Sequence, residues 1–328
     1  MGFHASVLTR LDQLQQRHGL WAFPFAVLKK FGDDRCGQLA AVTAYYAFFS
    51  IFPLLVVMVT LLGFILSGHP GLRRDMLDTA LTQFPTVGKD IQGEIQGLEG
   101  NVITLLVGML GLLWSGLAAV QSIEDALNTI WNVPIKARPS FLSVRLRSLL
   151  ALGMLGAGLT ASTALANIGP TVGRLLGAFV AVLGSAGSFA LSTATLVGIF
   201  VVLTERDLAW RTVLPGALFG ALGWTIIHAL GGLYVGRIVS SSSATYGSFA
   251  IVIGLLSWLY LQMQVLLLAA EVNVVRDARL WPRGLRVQDL TEADRSALVR
   301  TAHVEERIPD EHITVHLPPR GPADPSAK

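Results

Sequence analysis

The chain has 328 residues, of which 52% are hydrophobic and only 14% charged, against roughly 25% charged in soluble domains. With a net charge of +3 and a single cysteine, Cys36, this composition excludes a disordered chain, a disulfide-stapled secreted domain and a water-soluble enzyme. The charges are also segregated: residues 36–72, 100–123, 148–173, 175–204, 212–236 and 238–270 contain no Asp, Glu, Lys or Arg. About 20 apolar residues in a helix cross a hydrocarbon core of about 30 Å, and each of these six stretches is long enough. The fold class read from the pattern is all-α: a polytopic membrane protein, built as a six-helix transmembrane bundle with short interfacial helices. A closed β-barrel would need alternating polarity, which runs such as 104–113 and 255–270 lack.

In chain order, residues 1–36 form a cytoplasmic amphipathic segment. The run Leu20 to Phe25 followed by Lys29 and Lys30 predicts an interfacial helix with a basic collar. No uninterrupted apolar core precedes a small-residue cleavage site there, so the first span is expected to act as its own insertion signal. The membrane domain is expected at 37–275, with spans near 40–66, 101–123, 148–170, 177–203, 213–235 and 246–270. Pro53 removes one backbone hydrogen bond inside the first span and predicts a kink or break near Ser50. The outer loop 67–99 divides at Phe84-Pro85. Its two halves carry apolar faces (Leu72, Met76, Leu77, Ala80 and Leu81; Val87, Ile91, Ile95 and Leu98) suited to the membrane boundary. Gly173 and Gly177, Gly216 and Gly220, and Gly232 and Gly236 form small-xxx-small pairs, which permit close helix approach; hinges of an alternating-access transporter are the other reading. In the tail, 276–328, Thr291 as N-cap with Asp294 at N3 predicts a short soluble helix to about Thr301, and the composition after Pro318 predicts disorder.

Loops on the N-terminal side hold fifteen Lys and Arg, and the opposite loops hold five. The positive-inside rule therefore predicts that both termini are cytoplasmic. His228 is the only titratable His, Asp, Glu, Lys or Arg deep in a span, expected to hydrogen-bond a facing helix or to relay protons or contact a ligand. Glu124, Asp125 and Asn128 close the second span, and Glu271 and Asn273 close the sixth. Acids at a helix C-terminus oppose the macrodipole and need nearby cations. Arg35, Arg145, Arg147 and Arg211 fall at the same level, which predicts either inner-rim ion pairs or a polar vestibule for a charged headgroup or coupling ion. The substrate-path candidates are Tyr45, Tyr46, Ser50, Pro53, Asn128, His228, Glu271 and Asn273.

No catalytic residue, metal site or cofactor is expected. The chain has no GxSxG, Walker-type loop or HExxH, and His312 and His316 sit beside a Pro-rich tail as a solvated pair. A basic stripe with interleaved aromatics for nucleic acid is also lacking. The expected partners are membrane lipids and, beyond them, envelope-biogenesis proteins, but no nucleic acid; the oligomeric state stays open.

Several strings carry a resemblance. Ala44-Tyr45-Tyr46-Ala47-Phe48-Phe49-Ser50-Ile51-Phe52-Pro53-Leu54-Leu55 in the first span is one, and Asp125-Ala126-Leu127-Asn128-Thr129-Ile130-Trp131 after the second is another. Leu214-Pro215-Gly216-Ala217 opens the fifth, and Tyr246-Gly247-Ser248, Trp258-Leu259-Tyr260 and Ala270-Glu271-Val272-Asn273 lie in the sixth. Together, over roughly 25–280, they resemble the YihY / virulence factor BrkB family, from which Ala269 departs where the family usually has Gly. The resemblance implies a multi-pass inner-membrane protein with six helices and both ends cytoplasmic. That family has carried a ribonuclease label and links to serum resistance and to movement of lipid or lipopolysaccharide precursors. A transporter or flippase-like carrier of a lipid-like or anionic envelope substrate is the expected function, and a non-transporting scaffold or regulator of envelope assembly is the alternative.

Overall fold

A computed structural model describes residues 19–65, 102–138, 148, 150, 153, 154, 158, 178–234, 248–285 and 290–318. Among the described residues the protein is all-helical: α1 (Gly19–Asp33), α2 (Cys36–Ile65), α3 (Val102–Ile130), α4 (Ala178–Leu203), α5 (Trp210–Tyr234), α6 (Ser248–Asp277) and α7 (Glu292–Val304), with one 3₁₀ turn at Ile135–Ala137. Five of these, α2 to α6, are long and apolar enough to cross a membrane. The third expected span, 148–170, contributes only Ser148, Leu150, Gly153, Met154 and Gly158, all helical, of which Met154 and Gly158 lie against α4. A Cβ on Gly158 would stand 2.2 Å from Thr195 Oγ1, and one on Gly198 2.3 Å from Met154 Cε. The outer loop 67–99, Arg145, Arg147, the Gly173/Gly177 pair and the tail beyond Pro318 lie outside the described residues.

Leu, Val, Ile and Ala dominate the spanning helices because their backbone groups bond internally while their side chains meet lipid. Only 11% of the most apolar window of α3 is buried, and 33% of those of α4, α5 and α6, so most of the apolar surface faces outward. Several span hydroxyls are satisfied on their own helices: Thr43 donates to the Leu39 carbonyl, Thr193 to Phe189, Thr195 to Leu191 and Thr225 to Ala221.

The expected break at Pro53 is absent, because α2 runs unbroken from Cys36 to Ile65. Its ring packs against α3 at Gly111, where a Cβ would stand 3.3 Å from the proline Cβ and Cγ. Close packing against α3 offsets the one lost backbone bond, and the Ser50 hydroxyl donates to the Ala47 carbonyl at 2.7 Å.

Helices of 29 and 30 residues, α3 and α6, exceed a 30 Å hydrocarbon core by about 10–15 Å. That excess, two or three turns, carries Glu124, Asn128, Glu271 and Asn273. The buried core is concentrated at this polar end, where Ala26, Cys36, Leu127, Ile130, Phe200, Leu203, Val213, Leu267, Ala270 and Val275 meet. The N-terminal helix is part of that core. On α1 the residues Ala22, Ala26, Val27 and Lys30 are buried while Trp21 and Leu28 face out, so the basic collar expected on the membrane surface is half inside the protein. In the tail, α7 begins with a capping box: Thr291 accepts from the Asp294 N–H, and the Asp294 carboxylate accepts from the Thr291 N–H.

Candidate functional site

At the polar end, α1 stops in a tight turn. Asp34 N–H donates to the Lys30 carbonyl, and Arg35, at φ 53°, adopts a left-handed conformation before α2 starts. The turn directs Lys30 and Asp34, four residues apart, into the interior. The Lys30 ammonium bonds the Asp34 carboxylate and donates at 2.9 Å to the Ile130 carbonyl, one of the orphan acceptors at the C-terminus of α3. It also lies 3.4 Å from Glu271 Oε2 on α6, while Cys36 Sγ donates to Glu271 Oε1 at 3.3 Å. All four residues are buried, Glu271 completely. One cation thus faces two carboxyl groups. Burial pushes the Asp34 carboxyl above the usual range, and Lys30 only partly offsets it. Burial opposes the Lys30 charge, but Glu271 and Asp34 outweigh it and hold the ammonium pKa above its ordinary 10.5.

The two asparagines tie helices together. Asn128 Oδ1 accepts from the Glu205 N–H at 2.8 Å and so holds the turn between α4 and α5. Asn273 Oδ1 accepts from the Gly216 N–H at 2.7 Å. That bond is possible because α5 touches α6 at Gly216: a Cβ there would stand 2.1 Å from the Ala269 carbonyl oxygen. Asn273 Nδ2 is buried with no hydrogen-bond partner among the described residues.

The expected rim pairing is therefore corrected in several places. Arg35 is exposed and has no ion pair among the described residues, because its backbone, rather than its side chain, forms the turn. Arg211 lies over the Trp210 ring, 5.2 Å from its centroid, rather than beside an acid. Asp125 pairs with Arg138 at 3.3 Å, on the surface; Glu124 is buried near the end of α3. The cation that meets Glu271 is Lys30, which sequence reading missed. The available signal was its register: Ala22, Ala26 and Lys30 continue one apolar face at a spacing of four.

The substrate-path candidates do not converge. Tyr45 and Tyr46 are exposed on α2 in an aromatic ladder with Phe49, the Tyr45 and Phe49 rings 4.8 Å apart. His228 makes no hydrogen bond among the described residues, contrary to the expected bond to a facing helix; it lies between Trp224 and Trp258, at 5.0 and 6.0 Å, because tryptophan faces fill the space a partner would need. It stands twelve residues beyond Gly216, roughly 18 Å along α5. Among the described residues no group of three or more His, Cys, Asp or Glu is arranged to hold a metal.

A second set of charges fastens the tail. Asp294 accepts from Lys29 at 2.9 Å, from Arg283 at 2.9 Å and from the Gly284 N–H at 2.8 Å. Arg283 also pairs with Asp33 at 2.9 Å, and Lys136 with Glu306 at 2.9 Å. Burial would raise the Asp294 pKa, but the hydrogen bonds from Lys29, Gly284, Thr291 and Arg283 outweigh it and hold it at about 2, below its ordinary 3.8. The docked tail therefore binds fewer protons than the free tail, and docking weakens as pH falls from about 4 towards 2. A spin-label distance between α1 and α7 should stay constant from pH 7 to about 4 and lengthen below it. In Asp294→Asn it should already be longer at pH 7; an unchanged distance in that variant would refute the clasp.

The sequence profile described as virulence factor BrkB matches residues 27–288, which takes in α2 to α6, the C-terminal half of α1 and the Lys30–Asp34–Glu271 cluster. Among named relatives, the chain is similar to the putative ribonuclease-like protein YfkH of Bacillus subtilis (strain 168), 29% identical over 76% of this chain and 91% of that one. It is also similar to a UPF0761 membrane protein of Xanthomonas oryzae pv. oryzae (strain PXO99A), 30% identical over 84% of this chain but only 66% of the relative. A third, a UPF0761 membrane protein of Alkalilimnicola ehrlichii, is 28% identical over 76% of this chain and 57% of its own length. No solved structure matches the chain. A profile that covers the bundle and its buried charges places this all-α polytopic membrane protein in the virulence factor BrkB family.

Proposed function

We propose that the protein is a carrier of an amphipathic, anionic, lipid-like envelope substrate in the inner membrane, with its polar end and both termini facing the cytoplasm and that end closed. The carrying observation is the buried cluster of Lys30, Asp34 and Glu271, which joins α1, α2, α3 and α6. A well-packed apolar trio would hold the helices at least as well, since desolvation consumes most of what a buried ion pair gains. Charges kept in such a place suit a closure that parts and rehydrates. The exposed aromatic ladder Tyr45, Phe49 and Phe52 on α2 would let acyl chains stay in lipid while a headgroup passes. The basic loops support the orientation.

Proteoliposomes that report movement of a fluorescent anionic phospholipid analogue test the reading. Movement should exceed that of empty liposomes and fall at least about tenfold in Glu271→Gln, while the variant's melting curve in detergent shows it folded. A tenfold change corresponds to about 1.4 kcal/mol in the barrier. Movement equal to that of empty liposomes would end it.

One observation favours a second reading, a scaffold or regulator of envelope assembly. The tail is clasped to the bundle through Lys29, Asp294, Arg283 and Lys136, as a docking platform for envelope-biogenesis proteins would need. Removal of residues 286–328 separates the two, because a carrier keeps its flux and a scaffold loses its function. The name of the Bacillus relative raises a nuclease role, which the proposal does not adopt; incubation of the purified protein with RNA and a divalent metal would test it.

A further inference from the structure

At the polar end, beyond the last turn of α3, three separate segments line an open recess of about 310 Å³, at the lower end of the range for small-ligand sites. Trp131 and Asn132 come from the segment after α3, Glu205 and Arg206 from the turn between α4 and α5, and Arg300 and His303 from α7. The recess exists only because the tail is docked, which gives the Lys136–Glu306 pair beside it a purpose beyond tethering.

Its polar groups are mostly donors. Arg206 lies over the Trp131 ring, 5.4 Å from the centroid, and only loosely meets Asp277, at 3.6 Å. Arg300 is exposed and has no ion pair among the described residues. His303 spends its Nδ1 on Glu306, at 2.6 Å. Trp131 is 2% exposed, and its indole Nε1–H is buried with no acceptor among the described residues. A buried donor left unmet is costly. Two guanidiniums beside an orphan N–H suit a tetrahedral oxyanion, since arginine forks match phosphate geometry. The charged acceptor in the lining is the Glu205 carboxylate. It disfavours a bare anion and favours a ligand that presents a hydroxyl beside its phosphate.

We propose that this recess binds a phosphate ester with a neighbouring hydroxyl, of the glycerol-phosphate type, carried either by a lipid headgroup or by a soluble metabolite. The phosphate oxygens meet Arg206, Arg300 and the Trp131 N–H, and the hydroxyl donates to Glu205. The site lies apart from the Lys30–Asp34–Glu271 cluster and holds whether or not the bundle is a carrier.

The test uses the purified full chain. In detergent, calorimetric titration with glycerol 3-phosphate, inorganic phosphate and sulfate forms one arm. Melting temperature in nanodiscs of phosphatidylglycerol against phosphatidylcholine forms the other. Arg300→Gln and Trp131→Phe are compared with wild type in both; Arg300 is exposed, so its replacement leaves the fold intact. If the source is soluble, glycerol 3-phosphate binds about tenfold tighter than inorganic phosphate, and each variant weakens it about tenfold, the scale of one lost charge-assisted hydrogen bond. If the source is lipid, the soluble ester binds weakly, while phosphatidylglycerol raises the wild-type melting temperature and not that of Arg300→Gln. Equal binding of sulfate, phosphate and ester, or variants that match wild type in both arms, would overturn the proposal.

Discussion

Lys30→Met is expected to destabilise the bundle by about 3–5 kcal/mol, the range for removal of one partner from a buried charge pair. Methionine matches the lysine stem in volume, so packing is nearly retained and the loss reads on charge. Without the ammonium, the carboxyls of Asp34 and Glu271 face each other inside the protein, and the Ile130 carbonyl loses its donor. Burial already raises the Asp34 pKa; in the variant the folded state keeps this group neutral only by holding a proton that the unfolded chain releases. The deficit should therefore grow as pH rises from 5 to 8. Thermal unfolding in detergent at several pH values measures it. The double variant Lys30→Met with Glu271→Gln should recover part of the loss, since one charge leaves with its partner. A Lys30→Met protein as stable as wild type at pH 8 would show that the cluster does not exist.

Gly216→Ala should cost about 1–3 kcal/mol or more for a different reason. Its new methyl would stand 2.1 Å from the Ala269 carbonyl oxygen and 2.4 Å from Asn273 Nδ2. A main-chain oxygen in the middle of α6 cannot rotate away, so α5 and α6 must separate, and the Gly216–Asn273 hydrogen bond breaks with them. Gly220→Ala is the internal control. One turn along the same helix, its methyl would meet Ala269 Cβ and Leu196 Cδ1, each at 3.0 Å, side-chain atoms that yield more readily. Melting curves of the two variants should differ by several degrees, with Gly216→Ala the lower. Equal values would mean that the close approach at Gly216 is not a feature of the folded protein.

These positions also show where sequence reading stopped. The glycines of the fifth span were legible as a packing surface, since a small-xxx-small pair has few other uses in lipid. Which of them admits a backbone carbonyl was not, because that depends on the facing helix. Glu271 and Asn273 stood out as polar residues at the end of an apolar run, yet their partners were assigned to arginines at the same depth. Depth in the membrane is a one-dimensional coordinate and says nothing about which helices are neighbours. Lys30 carried a weak signal in its register on α1, outweighed by the reading of adjacent lysines as a surface collar. Pro53 is read from sequence by its local effect alone, whereas the structure packs its ring against Gly111 within a helix that is not broken.

The all-helical, multi-span character of the chain was readable without coordinates, because a bilayer of fixed thickness compares directly with the length of an apolar run. The capped start of α7 was equally local, a matter of Thr291 and Asp294 three residues apart. The buried ion cluster, the tail clasp and the recess beneath the tail belong to another category. Cys36 and Glu271 are 235 residues apart, and Lys29 and Asp294 are 265 apart. Contacts of that span leave no periodicity in a sequence; they arise only when the helices choose their neighbours, and it is that choice which turns an ordinary basic residue into a buried cation at the polar end.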